Sequence, residues 1–114
     1  MDFASISFAS TDWFFVPSTD YPGEIGTARW RTREEGSLRT RMVEYSAGFV
    51  ADHWCTQGHV FLCLEGEMVV ELEDGRAVTL RPGMSCQLPD GQGSHRTRSI
   101  NGARFFAVDE APRG

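Results

Sequence analysis

Residues 52–59 read Asp-His-Trp-Cys-Thr-Gln-Gly-His, bringing two of the chain's three histidines close to one of its three cysteines. The third histidine, His95, follows a Pro89-Asp90-Gly91-Gln92-Gly93 loop. Imidazole and thiolate are the usual protein ligands of first-row transition metals. On a strand, His53 and Cys55 are two apart and leave the same face. Gly58 supplies a bend, and His59 opens the run that follows. Two donors from one strand, with His59 and His95 from its neighbours, are what a barrel needs for a four-donor interior site. A lone His or Cys on such a face is more often packed core than ligand. What favours a metal is that all three histidines and one cysteine fall where one fold would gather them.

Strands must do the positioning, because no window of the sequence keeps a helical period. Short runs rich in Val, Thr, Phe, Tyr and Trp recur instead, punctuated by Gly, Pro and Asp. They predict strands over Thr27–Thr32, Leu38–Tyr45, Phe49–Cys55, Val60–Leu64, Glu67–Glu73, Ala77–Leu80, Ser85–Leu88, His95–Ser99 and Ala103–Val108. Asp74-Gly75 and Asn101-Gly102 have the composition of type I′ hairpin turns. So many short strands without an intervening helix imply an antiparallel all-β barrel or double-sheet jelly roll. Residues 1–26 are less regular and read as an N-terminal arm, with residues 27–114 forming one barrel domain. The arm carries Trp13-Phe14-Phe15-Val16, apolar on both faces, and packs either on its own barrel or on a partner subunit.

Composition narrows the function classes. The chain has 114 residues, enough for one domain that buries roughly 65% of its unfolded surface. All 11 basic residues are Arg, which excludes Schiff-base chemistry on an internal lysine. A net charge of −5 argues against non-specific nucleic-acid binding, and Glu34-Glu35 neutralises the Arg29–Arg33 run. The longest apolar run, Val60–Leu64, is far short of the ~20 residues that span a bilayer. With no signal-peptide pattern at the start, the expectation is a cytoplasmic protein without a membrane span. An odd cysteine count in a reducing compartment argues against a disulfide framework.

The spacing resembles that of the cupins. Their first motif is Gly, His-x-His, three or four residues, Glu, six residues and Gly; here Gly48, His53-Trp54-Cys55, His59 and Gly66 stand in those places. Their second motif is Gly, five residues, Pro-x-Gly, two residues and His; here Gly83, Pro89-Asp90-Gly91 and His95 follow it. Leu62-Cys63-Leu64-Glu65-Gly66-Glu67 is similar to the hairpin after the first motif. More narrowly, Asp52-His53-Trp54-Cys55 resembles the signature of small bacterial single-domain cupins named for an Asp-His-Cys-Trp motif. The resemblance covers about residues 38–108 and implies a double-stranded β-helix, the cupin jelly-roll barrel. Two ligand positions depart from the pattern: Cys55 replaces the second His, and His59 replaces the Glu. Gly48 is also one residue closer to its His, and His95 one residue further from Gly91.

The ligand swaps conserve charge, since three neutral His with one thiolate carry −1, as do three His with one carboxylate. The softer donor favours Zn or Fe, with Ni also suitable, over Mn or Mg. The resemblance implies a metal-binding cupin acting on a small organic molecule inside the barrel, as a dioxygenase, isomerase or lyase. The alternative is a non-enzymatic module that binds a small ligand or a metal. A third use of the site makes Cys55 a nucleophile or redox sensor, its thiolate favoured by His53 and His59. Gln57, Phe61, Gln87 and Arg41 are candidate pocket residues, and Arg39 and Arg96 are further cations on barrel strands. On a regular strand Asp52 turns away from His53 and reads as a surface residue, Trp54 packs on the opposite side, and Cys63 and Cys86 read as core. Pairing of sheet edges or exchange of the arm would make a homodimer.

Overall fold

The computed structural model describes residues 2–112 and contains nine antiparallel strands in two sheets. They are β1 (Ser18–Pro22), β2 (Thr27–Glu35), β3 (Leu38–Tyr45), β4 (His59–Gly66), β5 (Met68–Leu72), β6 (Ala77–Leu80), β7 (Ser85–Leu88), β8 (His95–Arg98) and β9 (Ala103–Glu110). Six form one sheet in the order β1-β2-β3-β9-β4-β7, and three form the other in the order β6-β5-β8. Among the described residues the only helical elements are two short 3-10 turns, Phe3–Ser5 and Trp13–Phe15. No helix among them is long and apolar enough to cross a membrane.

Period-two burial explains why these segments are strands. Along β4, His59, Phe61 and Cys63 are buried while Val60 and Leu62 face out. Along β9, Ala103, Phe105, Ala107 and Asp109 are buried in alternation. With Val43, Met68, Val70 and Leu80 these inner faces make one core between the sheets, which fixes strand register because a one-residue slip would expose it.

The connections differ from the hairpins expected. Positive φ occurs only at glycines among the described residues, so neither Asp74 nor Asn101 has the backbone of a type I′ turn. Asp74-Gly75 lies in a longer connection in which the Gly75 N–H bonds the Leu72 carbonyl. Asn101-Gly102 joins no hairpin, because β8 and β9 lie in different sheets.

Two segments fold differently from the sequence expectation. Ser18–Pro22 lies within the expected arm and pairs with β2 from Ser18 opposite Arg31 to Pro22 opposite Thr27. Upstream, the Asp2 N–H bonds Ser37 Oγ, the Ser7 N–H bonds Glu35 Oε1, and Trp13 meets Phe106 edge-on. The second segment, Phe49–Cys55, is not a continuous strand. Ser99 N–H bonds the Phe49 carbonyl, Val50 bridges Arg98, and Ala51 N–H bonds the Thr97 carbonyl. That register would bring His53 opposite His95. Cys55 stands there instead, exchanging both backbone hydrogen bonds with His95. Two extra residues have been accommodated in a bulge, and the bend at Asp52-His53 is its visible part.

Candidate metal centre

Cys55, His59 and His95 bring one ligand atom each to within 4.8 Å of one another. His59 and His95 are the inward first residues of β4 and β8, and the bulge delivers Cys55 beside His95. Gly58 donates its N–H to Asp90 Oδ1, and a Cβ there would come within 2.8 Å of that oxygen and of the Leu88 carbonyl. Glycine is therefore what lets the chain turn tightly into His59. The imidazoles of His59 and His95 stand edge to face with centroids 5.1 Å apart, and Phe61 stacks on His59.

Burial and neighbouring charge set the state of His95 and of Asp109 beside this cluster. Burial opposes charge on Asp109, but hydrogen bonds from His59 and Arg39 and the charges of Arg41 and Arg39 hold its carboxyl well below the usual carboxylate range. An ionised carboxylate only accepts, so the 2.7 Å contact from His59 Nδ1 to Asp109 Oδ2 places the proton on Nδ1. His59 Nε2 lies 3.6 Å from Cys55 Sγ. Burial, with the nearby His59 and His53, pushes His95 down to about 4, which leaves it neutral at pH 7. The Gln57 N–H donates to Cys55 Sγ at 3.4 Å. A tetrahedral zinc shell separates sulfur from nitrogen by about 3.6 Å. The donor set fits a divalent transition ion in chemistry, and the 3.6 Å from Cys55 Sγ to His59 Nε2 matches such a shell.

His53 is not part of this cluster. Its side chain is 72% exposed, and its Nδ1 lies 2.6 Å from Asp52 Oδ1. Asp52 thus pairs with His53 rather than turning away, because the bend breaks strand alternation. Trp54, expected to pack, is substantially exposed and lies under the Arg96 guanidinium. Gln87 is exposed on β7, where Cys86 and Leu88 are the partly buried residues, and it does not line the cavity. Gln57, Phe61 and Arg41 do line it, and Gln57 Nε2 also bonds the Glu110 carbonyl. Cys63 is fully buried, Cys86 packs on the core, and all three cysteines are free.

Asp109, absent from the sequence-derived candidates, organises this site. It accepts from Arg39 through both oxygens, from Arg41 Nη2 at 2.6 Å, and from His59. The signal for it was present: in Ala103-Arg-Phe-Phe-Ala-Val-Asp109 the acid occupies an inward position, where a charge needs partners. Beyond the cluster the sheets enclose a cavity of about 380 Å³, lined by aromatic residues including Trp30, Tyr45 and Phe49 and by Arg39, Arg41 and Arg96. His53 and Asp52 line it as well.

Comparison with solved structures decides the fold. An RmlC-like cupin from Shewanella frigidimarina superposes with a TM-score of 0.74 at 18% identity, over 96% of each chain. The chain folds as a cupin. Ectoine synthase from P. lautus matches this chain with a TM-score of 0.74 and 19% identity, over 93% of this chain and 80% of that one. The polyketide cyclase RemF from Streptomyces resistomycificus matches with a TM-score of 0.72 and 20% identity, over 94% and 82%. No protein-family model and no curated protein matches the chain by sequence.

Proposed function

We propose that this cupin is a metalloenzyme that holds a divalent transition ion, Zn or Fe, on Cys55, His59 and His95. Its substrate is a small organic molecule in the adjoining cavity. The observation that carries the reading is the Asp109–His59 hydrogen bond, which fixes one tautomer and turns the Nε2 lone pair toward the thiol. A bound ion would supply Lewis acidity toward an oxygen of the substrate. The protein's own part is to hold the donors, to keep a largely apolar cavity beside them, and to keep Asp109 out of solvent. Two fold neighbours named as enzymes, a synthase and a cyclase, support a catalytic use of such a cavity. Three protein donors leave a coordination position for substrate. His53 stays at the cavity mouth, where Asp52 orients it.

A second reading has one observation in its favour: His53 is two residues from Cys55 and lines the same cavity. A movement of the bend would make it a fourth ligand, and the closed shell would then serve structure or ligand binding rather than catalysis. Coordination number separates the two. Cobalt-substituted protein should show a thiolate charge-transfer band that changes when small anions are added. A spectrum indifferent to every added ligand, together with loss of cobalt binding in His53→Ala, would favour the closed site. The exposed Phe14 and Phe15 and the free edge of β1 suit a cytoplasmic homodimer, to be tested by sizing the protein with and without residues 1–16.

A further inference from the structure

Arg41 occupies an inward position of β3 and is 5% exposed, yet its guanidinium is incompletely satisfied. One Nη2 hydrogen goes to Asp109, while Nε is buried without a hydrogen-bond partner. Asp109 is already shared: its Oδ1 accepts from Arg39, and its Oδ2 accepts from Arg39, Arg41 and His59. Two guanidinium groups therefore share one carboxylate, and the surplus positive charge falls on a group that lines the cavity. The Trp30 ring covers one face of Arg41, 4.3 Å from its central carbon, so further partners must come to the guanidinium edge. Leaving a buried charged donor unpaired is costly, and a ligand that satisfies it recovers that cost.

We propose that the cavity takes a small carboxylic acid as its anion. The carboxylate lies on the unsatisfied edge of Arg41, and the apolar body packs against cavity aromatics such as Phe49 and Phe61. This rests on the cavity being the substrate site of the proposed metalloenzyme, and it names the substrate class. A volume of about 380 Å³ suits a small molecule. Arg96 also lines the cavity and its Nε is likewise unpartnered, but its charge is met by Glu24 and Glu71. The surplus is therefore the one positive charge that Arg39 and Arg41 carry beyond Asp109, which matches a single negative charge better than a phosphate dianion. Asp109 Oδ2 accepts from both Arg41 and His59, so the anion subsite adjoins the metal donors, and the carbons next to the carboxylate would lie nearest them.

The test titrates benzoate, its neutral isostere benzamide, and inorganic phosphate into zinc-loaded and chelator-treated protein, following arginine Nε–H resonances. Benzoate should bind at least about tenfold more tightly than benzamide or phosphate in both forms and shift the Arg41 Nε–H signal, a tenfold preference being about 1.4 kcal/mol. Arg41→Met should abolish the preference while leaving benzamide binding unchanged. If that variant fails to fold, the benzoate–benzamide contrast and the Nε–H shift in wild-type protein decide. Equal binding of benzoate and benzamide, or phosphate binding as tightly as benzoate, overturns the proposal. So does benzoate binding that survives Arg41→Met and disappears with the chelator, since the carboxylate would then sit on the metal. Zinc content measured on the same samples keeps the two ideas apart: Arg41-dependent binding without zinc uptake sustains the subsite, and zinc uptake without anion preference sustains only the metal site.

Discussion

His59 donates from Nδ1 to Oδ2 of Asp109 across 2.7 Å, and the Asp109 side chain is wholly shielded from solvent. One contact links the donor cluster at one end of β4 to the arginines of β3. It orients the imidazole of a candidate ligand and brings a counter-charge to the arginines that the inward face of β3 carries into the core.

Asp109→Asn should therefore damage two properties together. Metal affinity should fall about 10–100-fold, because the amide can present its N–H to His59 and favour the wrong tautomer. Stability should fall by about 3–5 kcal/mol as Arg39 and Arg41 lose their shared counter-charge. Chelator competition and denaturant melts measure the two effects. A variant with wild-type metal affinity would remove Asp109 from the metal centre.

The donors should also be separable from their neighbour in sequence. Cys55→Ala, His59→Ala and His95→Ala should each reduce zinc affinity by about a hundredfold or more, whereas His53→Ala should change it by less than about threefold. Elemental analysis after dialysis against graded chelator gives the comparison. A loss in His53→Ala equal to that in His95→Ala would mean that the bend at Asp52-His53 closes onto the metal.

Tyr45 gives a pH signature away from the donors. Burial pushes its phenol up to about 12, against the opposing influence of the Thr97 hydrogen bond and the Arg41 charge. The folded state thus holds this proton more tightly than the unfolded chain, whose value is near 10. The associated stability is fully present below pH 10 and is lost as pH rises from about 10 to about 12. Tyr45→Phe should flatten the decline in denaturation midpoint across that window, at a cost of about 1 kcal/mol at neutral pH from the stranded Thr97 hydroxyl. Parallel declines in the two proteins would show that Tyr45 ionises freely.

Gly66 has a positive φ of 69°, and a Cβ there would fall 2.1 Å from the Gly102 carbonyl oxygen. Gly66→Ala should destabilise the fold by about 2 kcal/mol or more, because φ strain adds to a clash with backbone that has no rotamer to yield. Gly75→Ala, with the same sign of φ but open space around it, should cost less. Equal thermal shifts would mean that the β4–β5 corner relaxes.

Most of the fold was legible because strands buried on one face announce themselves by alternation, as His59, Phe61 and Cys63 do in β4. β1 escaped because all five of its residues are exposed and carry no alternation. The bulge escaped for a different reason: two inserted residues leave composition unchanged but move every later side chain along the partner strand. That is why His53 and Cys55, which a regular strand would present together, part company, with Cys55 reaching His95 and His53 reaching solvent. Gln87 was readable in principle, since alternation with Cys86 and Leu88 puts it outside. Asp109 was missed because the expected strand ended at Val108, one residue short of the acid that organises the site.

X-ray absorption on the purified, metal-analysed protein tests the metal centre most directly. About one ion per chain is expected, with one sulfur at about 2.3 Å, at least two imidazole nitrogens at about 2.0–2.1 Å, and loss of the sulfur in Cys55→Ala. A chain that takes up no zinc or iron when loaded, or one whose bound ion has no sulfur neighbour, would contradict a metal held by Cys55, His59 and His95.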